Sequence, residues 1–141
     1  MRKAAICAVG LGAMLLGSSP VLAHHSGAMF DSSKQVSVTG VIKEFEYTNP
    51  HSWVRVMAPD STGKIVEWGF ESEGPSTLMR NGIKRSALKE GEKVTVVCNP
   101  MRDGRPAGAL MRVTKIDTGE VIYFRGRPPA AAPAAPAAPA G

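Results

Sequence analysis

Residues 51–72 read HSWVRVMAPDSTGKIVEWGFES, and this stretch decides the fold. Val54 and Val56 alternate with other residues over 51–58. The run Pro59-Asp60-Ser61-Thr62-Gly63 has a turn composition, and Val66, Trp68 and Phe70 then alternate over 64–72. Period-two patterning on both sides of a turn predicts an antiparallel hairpin with one apolar face. Val54, Val56, Trp68 and Phe70 are expected to be buried together, with Glu67 and Glu71 pointing outward. His51, Trp53 and Arg55 share the opposite face of the first arm, because successive side chains alternate across a strand.

Upstream, 34–47 predicts one long strand. Val36 and Val38 carry its apolar positions before Gly40, and Val41, Phe45 and Tyr47 carry them after it. The phase thus changes from even to odd, and glycine is the residue that permits such a bend. Downstream, Pro75 to Gly82 predicts a short helix with Leu78 and Met79 available for packing, and 86–89 a further turn. Strands follow over 93–99, 109–117 and 120–124. This order predicts a mostly β protein, a small antiparallel barrel of the OB type with one short helix between strands three and four. An open antiparallel β-sandwich is the alternative.

The two ends have other compositions. Arg2 and Lys3 precede an uncharged apolar run from Ala4 to Leu16, and Val21-Leu22-Ala23 supplies a cleavage site. This is the pattern of a secretion signal over 1–23, and the run is shorter than the roughly 20 residues of a permanent membrane anchor. Periplasmic export is therefore expected. From 128 to 141 the chain holds only Pro, Ala and a final Gly, a tail expected to be disordered. The folded domain is placed at 24–127.

The formal charge is +5, and loss of Arg2 and Lys3 with the leader brings it to +3. So mild a charge on an exported chain argues against a nucleic-acid partner. Cys7 leaves with the leader and Cys98 stays alone, so no internal disulfide is available. No hydrolase, zinc-protease, phosphate-loop or C-x-x-C signature is present, and the protein is expected not to be an enzyme. Cys98, among Val94, Val96 and Val97, reads as an inert buried thiol. Arg102, Arg105, Arg112, Lys115, Arg125 and Arg127 crowd the C-terminal third and read as a solvated surface, with an anionic glycan or lipid head group as the alternative ligand.

All three histidines fall in two places, His24-His25 and His51. Cleavage after Ala23 would give His24 a free α-amino group beside its own imidazole, two nitrogens that close a chelate ring. A third imidazole, from His25 or His51, would complete a three-nitrogen site suited to copper. Met29 or Asp31 could add a thioether or an oxygen. A shared site requires segment 24–33 to fold back over the start of the 51–58 strand and shield Trp53. The competing ligand site is the face carrying Trp53 and Arg55, which suits a glycan, a peptide or a partner protein of the envelope.

His24-His25-Ser26, Phe30-Asp31, the run from Tyr47 to Trp53 and the run from Leu88 to Val96 together resemble a family of small secreted proteobacterial proteins of unknown function, domain-of-unknown-function family 6152. The resemblance covers roughly 24–125. It implies a small secreted β-rich domain and no catalytic activity. Cys98 departs from it, standing where an unreactive residue is expected.

Overall fold

A computed structural model describes residues 26–126. The strands are β1 (Val36–Glu46), β2 (Trp53–Pro59), β3 (Ile65–Glu71), β4 (Lys93–Pro100), β5 (Ala107–Lys115) and β6 (Val121–Tyr123). A single helix of α type, α1 (Pro75–Arg80), joins β3 to β4, followed by a 3-10 turn at Arg85–Ala87. Neighbours in the sheet run β3-β2-β1-β4-β5-β6, and β3 also pairs in parallel with β5. The closing pairs are Gly69 with Ala107, Phe70 with Gly108 and Glu71 with Ala109. The five strands β1 to β5 thus form a closed barrel with its helix between β3 and β4, the expected OB arrangement, and the sandwich is excluded. β6 continues the sheet outside the barrel, pairing with residues 112–114 of β5.

The hairpin arms pair as the alternation requires. Val54 lies opposite Phe70 and Val56 opposite Trp68. Val54, Val56 and Phe70 are wholly buried, as are Val94, Val96, Leu110 and Val113 from β4 and β5. Leu78 brings α1 into the same core. Trp68 is only half-buried. Its ring stacks on Phe70, with centroids 6.0 Å apart, and its indole N–H donates to the Pro59 carbonyl at 3.2 Å.

The phase change in β1 sits three residues later than expected. Val38 and Ile42 are buried on either side of Gly40, while Val41 is exposed, so the even phase continues through the glycine. The register slips between Ile42 and Glu44, where Lys43 is the extra residue of a bulge, and only afterwards does Tyr47 take the core position. Gly40 has a different task. A Cβ there would run into the Met57 carbonyl oxygen and stand 2.8 Å from Val56 Cγ1, so the absent side chain lets β1 cross β2 closely.

The residues before β1 also pack. Phe30 bridges Met101 and is buried with it and Ala109 in a small second cluster beside β5. Asp31 N–H donates to the Pro100 carbonyl at 2.8 Å and Arg102 N–H to the Met29 carbonyl at 2.9 Å, which fixes this segment along the β4–β5 loop. Among the described residues no helix is long and apolar enough to cross a membrane.

Candidate functional site

The loop from Tyr47 to Ser52 carries His51, and it is held from several sides. The Tyr47 hydroxyl lies 3.0 Å from the Ile83 carbonyl and 3.1 Å from the Pro75 carbonyl, which share its one proton. Arg85 donates back to the Tyr47 carbonyl at 3.0 Å. Ser52 and Ser72 are wholly buried and joined by Ser72 N–H to the Ser52 carbonyl at 2.9 Å. His51 is therefore presented from a fixed frame, with its side chain 37% exposed.

The ring is oriented through one nitrogen. His51 Nδ1 lies 3.1 Å from the Ser72 carbonyl oxygen and 3.1 Å from Glu71 Oε1. A carbonyl only accepts, and so does an ionised carboxylate. The Ser72 carbonyl therefore favours, in a neutral ring, the tautomer that donates from Nδ1 and keeps the Nε2 lone pair. Glu71 was expected to point into solvent, and this is corrected. It does lie on the outer side of β3, opposite Trp53, but it is 2% exposed. The parallel pairing of β3 with β5 sets Ala109 beside it. Its Oε1 makes no well-aligned hydrogen bond. Sequence reasoning missed this residue, because alternation assigns a side chain to a face and says nothing of what covers that face.

Trp53 and Arg55 share the outer face as predicted. The Arg55 guanidinium lies over the Trp53 ring, 4.8 Å from its centroid. It donates from Nε to Glu46 Oε1 at 2.7 Å. That bond is the largest cause holding Arg55 above its ordinary pKa. Gly69 stands opposite Arg55, and a Cβ there would come within 2.7 Å of the guanidinium. The glycine gives Arg55 room to lie flat. The result is a hollow of about 420 Å³ lined by Trp53, Arg55, Glu67 and Gly69, walled by Met29 and Phe30 on one side and by Met101 and Arg105 on another. Segment 26–33 thus comes to the Trp53 face along the β4–β5 loop and leaves Trp53 half-buried at the edge of a hollow. Met29 lines this hollow, whereas the Asp31 carboxylate turns to Ser33 at 2.6 Å, the largest cause of its lowered pKa, and is paired with Lys34.

His24 and His25 lie outside the described residues. Within them no group of three or more His, Cys, Asp or Glu side chains could hold a metal ion, so His51 and Glu71 stand as a pair. The C-terminal basic residues are mostly engaged. Lys115 pairs with Glu92 and Glu120, Arg105 with Asp103 and Arg125 with Glu73. Arg102 donates to the Ala28 carbonyl at 3.2 Å. Cys98 is wholly buried, and burial pushes its thiol up to about 11, away from reactivity. A larger hollow of about 830 Å³ lies between α1 and β6, near Thr77, Ile83 and Tyr123; of the residues singled out from the sequence it is lined by Arg125, and not by His51, Trp53 or Arg55.

Fold and site together define a small OB-type barrel whose outer β2–β3 face carries a fixed imidazole, a buried carboxylate and an arginine-covered tryptophan. The chain belongs to the family described as "Family of unknown function (DUF6152)", whose model matches residues 13–111. That span begins earlier and ends earlier than the expected 24–125, stopping inside β5. No curated protein and no solved structure matches the chain.

Proposed function

We propose that the protein is an exported, non-catalytic binding module of the periplasm that carries copper on a nitrogen site. The α-amino group and imidazole of His24 supply two donors, and His51, with or without His25, supplies the imidazole that completes it. The observation that carries this reading is the orientation of His51. Its Nδ1 lies 3.1 Å from the Ser72 carbonyl oxygen, which can only accept, so a neutral ring that donates there offers Nε2 to a ligand. Metal-binding histidines are commonly anchored this way, with the second ring nitrogen donating to a carbonyl or carboxylate. Chain length is compatible. Phe30 packs with Ala109, the cross-strand neighbour of Glu71, and His24 is six residues before Phe30, a reach of at most about 20 Å.

The test uses protein exported and processed in its host, its start checked by mass spectrometry. With a start at His24, one equivalent of Cu(II) should stay bound after desalting and give a nitrogen-rich paramagnetic resonance spectrum. His51→Ala should lower Cu(II) affinity at least about tenfold while leaving the melting temperature nearly unchanged. Equal binding by native and His51→Ala proteins would assign the metal to a loose N-terminus and defeat the shared site. A start several residues later would remove the chelate and defeat it as well.

A second reading is favoured by the hollow over Trp53. An arginine stacked on tryptophan, backed by a glycine and walled by Met29 and Phe30, suits a ligand with a flat apolar face and polar edges, such as a sugar or a peptide side chain. Titration of cell-wall glycan fragments and short peptides, followed by Trp fluorescence, tests it. Trp53→Ala should abolish binding of whichever one responds.

A further inference from the structure

We infer that the hollow over Trp53 is one half of a longer groove, and that its ligand is a neutral linear glycan that crosses the β4–β5 loop to a second hollow beside Trp68; the inference rests on the second reading above. The second hollow, of about 350 Å³, lies between the start of β1 and the turn end of the β2–β3 hairpin. Its lining includes Pro59 and Trp68 from the hairpin and Ser37 and Thr39 from β1. Alternation puts Trp53 and Trp68, the chain's two tryptophans, on opposite faces of the hairpin. The β4–β5 loop joins what alternation separates, because its Met101 and Arg105 line both hollows. Met101 lies buried in the small second cluster, whereas the Arg105 side chain is 66% exposed. A ligand can therefore pass from one hollow to the other over the arginine.

Each hollow sets an aromatic surface beside polar groups. In the first, Arg55 lies on Trp53. In the second, Trp68 stacks on Phe70, gives its indole N–H to the Pro59 carbonyl and still lines the hollow. The strand edge opposite adds backbone groups. β1 pairs with β2 only from Val41 onward, and Ile42 N–H donates to the Glu92 carbonyl at 2.9 Å. Counting back by twos, Gly40, Val38 and Val36 bond to β4, so the exposed Ser37 and Thr39 turn their N–H and C=O groups to the other side. Sugars offer the complement, with C–H faces for the rings and hydroxyls for the amides and carbonyls. The charges of the walls are answered within the protein. Arg55 pairs with Glu46, Glu67 with Lys43 and Arg105 with Asp103, while Asp60 accepts from the N–H groups of Thr62 and Lys64. These walls keep no cation over for a phosphate or a carboxylate, which favours a neutral ligand. Its length follows from the strand. Arg55 lines one hollow and Pro59 the other, four residues apart on β2 and so about 13 Å. A single sugar ring does not cover that distance, and a short chain does. A peptide fits less well, since adding a strand needs a longer row of backbone groups than Ser37 and Thr39 present.

The experiment titrates the full chain with β-linked N-acetylglucosamine chains of one to six units, read by calorimetry and Trp fluorescence. Affinity should rise with length and level off once the chain reaches both hollows. Trp68→Ala should lower affinity for the six-unit chain about tenfold, the loss expected of one stacking contact, and leave binding of the shortest responding chain unchanged. Ser37→Tyr puts a bulky side chain at the exposed rim of the second hollow. It should have the same effect, and it supplies the comparison if Trp68→Ala folds poorly. Trp53→Ala should abolish binding of the short chains. A uronic-acid chain of equal length should bind more weakly than the neutral one. Four results would overturn the inference and leave the Trp53 hollow standing: one unit binding as well as six, native affinity for the long chain in both second-hollow variants, tighter binding of the uronic-acid chain, or binding of peptides alone. If neither sugars nor peptides bind, the reading of the Trp53 hollow falls, and the longer groove with it.

Discussion

The two faces of the β2–β3 hairpin come from the same residues in alternation, yet they are built by different rules. The inner face holds Val54, Val56, Ala58 and Phe70, all wholly buried, with Trp68 and Val66 half-buried toward the turn. It is apolar and repetitive. The outer face holds Trp53, Arg55, Gly69 and Glu71, with His51 just before it, and no two do the same job. Its burial comes from elsewhere, from β5 pairing beside Glu71 and from Phe30 arriving along the β4–β5 loop. The inner face therefore supports the fold. The outer face carries a buried carboxyl group and an arginine-stacked ring, each held in place by partners from outside the hairpin.

Substitution can break or sharpen this contrast. The largest effect should come from Phe70→Ala, costing about 3–5 kcal/mol for a fully buried ring. That is much of the stability of a domain this size, and urea denaturation should show a lost or greatly weakened transition. Trp53→Ala, across the sheet, should cost only about 1–2 kcal/mol, since the ring is half-buried. A cost equal to that of Phe70→Ala would mean that the outer face is core and the contrast fails. The smallest effect belongs to Cys98, a member of the inner core on β4. Burial raises its thiol from 9.0 to about 11. The unfolded thiol ionises first, so this contribution is complete below pH about 9 and is lost as pH rises toward about 11. Alkylation of the native protein near pH 8 should be negligible, and rapid labelling there would show the inner face to be open.

Much of the inner face was legible in the sequence. The alternation of Val54 and Val56, and of Trp68 and Phe70, sets strand phase without help from the rest of the chain, and the order of elements then selects the barrel. The bend in β1 was placed at Gly40 because glycine advertises conformational freedom. The bulge falls at Lys43, which any residue type can occupy and which leaves no mark in the pattern. Gly40 answers to a neighbouring strand, and that neighbour is seen only in three dimensions. The candidate site was half legible. His51, Trp53 and Arg55 share a face because of their spacing. Glu71 looked like any outward carboxylate, since its burial depends on a partner strand 38 residues away, Ala109 on β5.

The way β5 divides its partners has a consequence for how this protein behaves in a crowd. Residues 107–109 of β5 close the barrel against β3, and residues 112–114 bind β6. Among the described residues the strand edges left open are short. β3 is unpaired on its β5 side over 65–68, β1 on its β2 side over 36–40 and on its β4 side over 43–46, and β6 is three residues long. The first of these edges carries Glu67, ion-paired with Lys43 across the sheet. Short edges guarded by charge are poor templates for adding strands from a second molecule. A second copy of the folded barrel therefore meets only short, interrupted edges when the protein is concentrated, which limits growth of one continuous sheet across molecules.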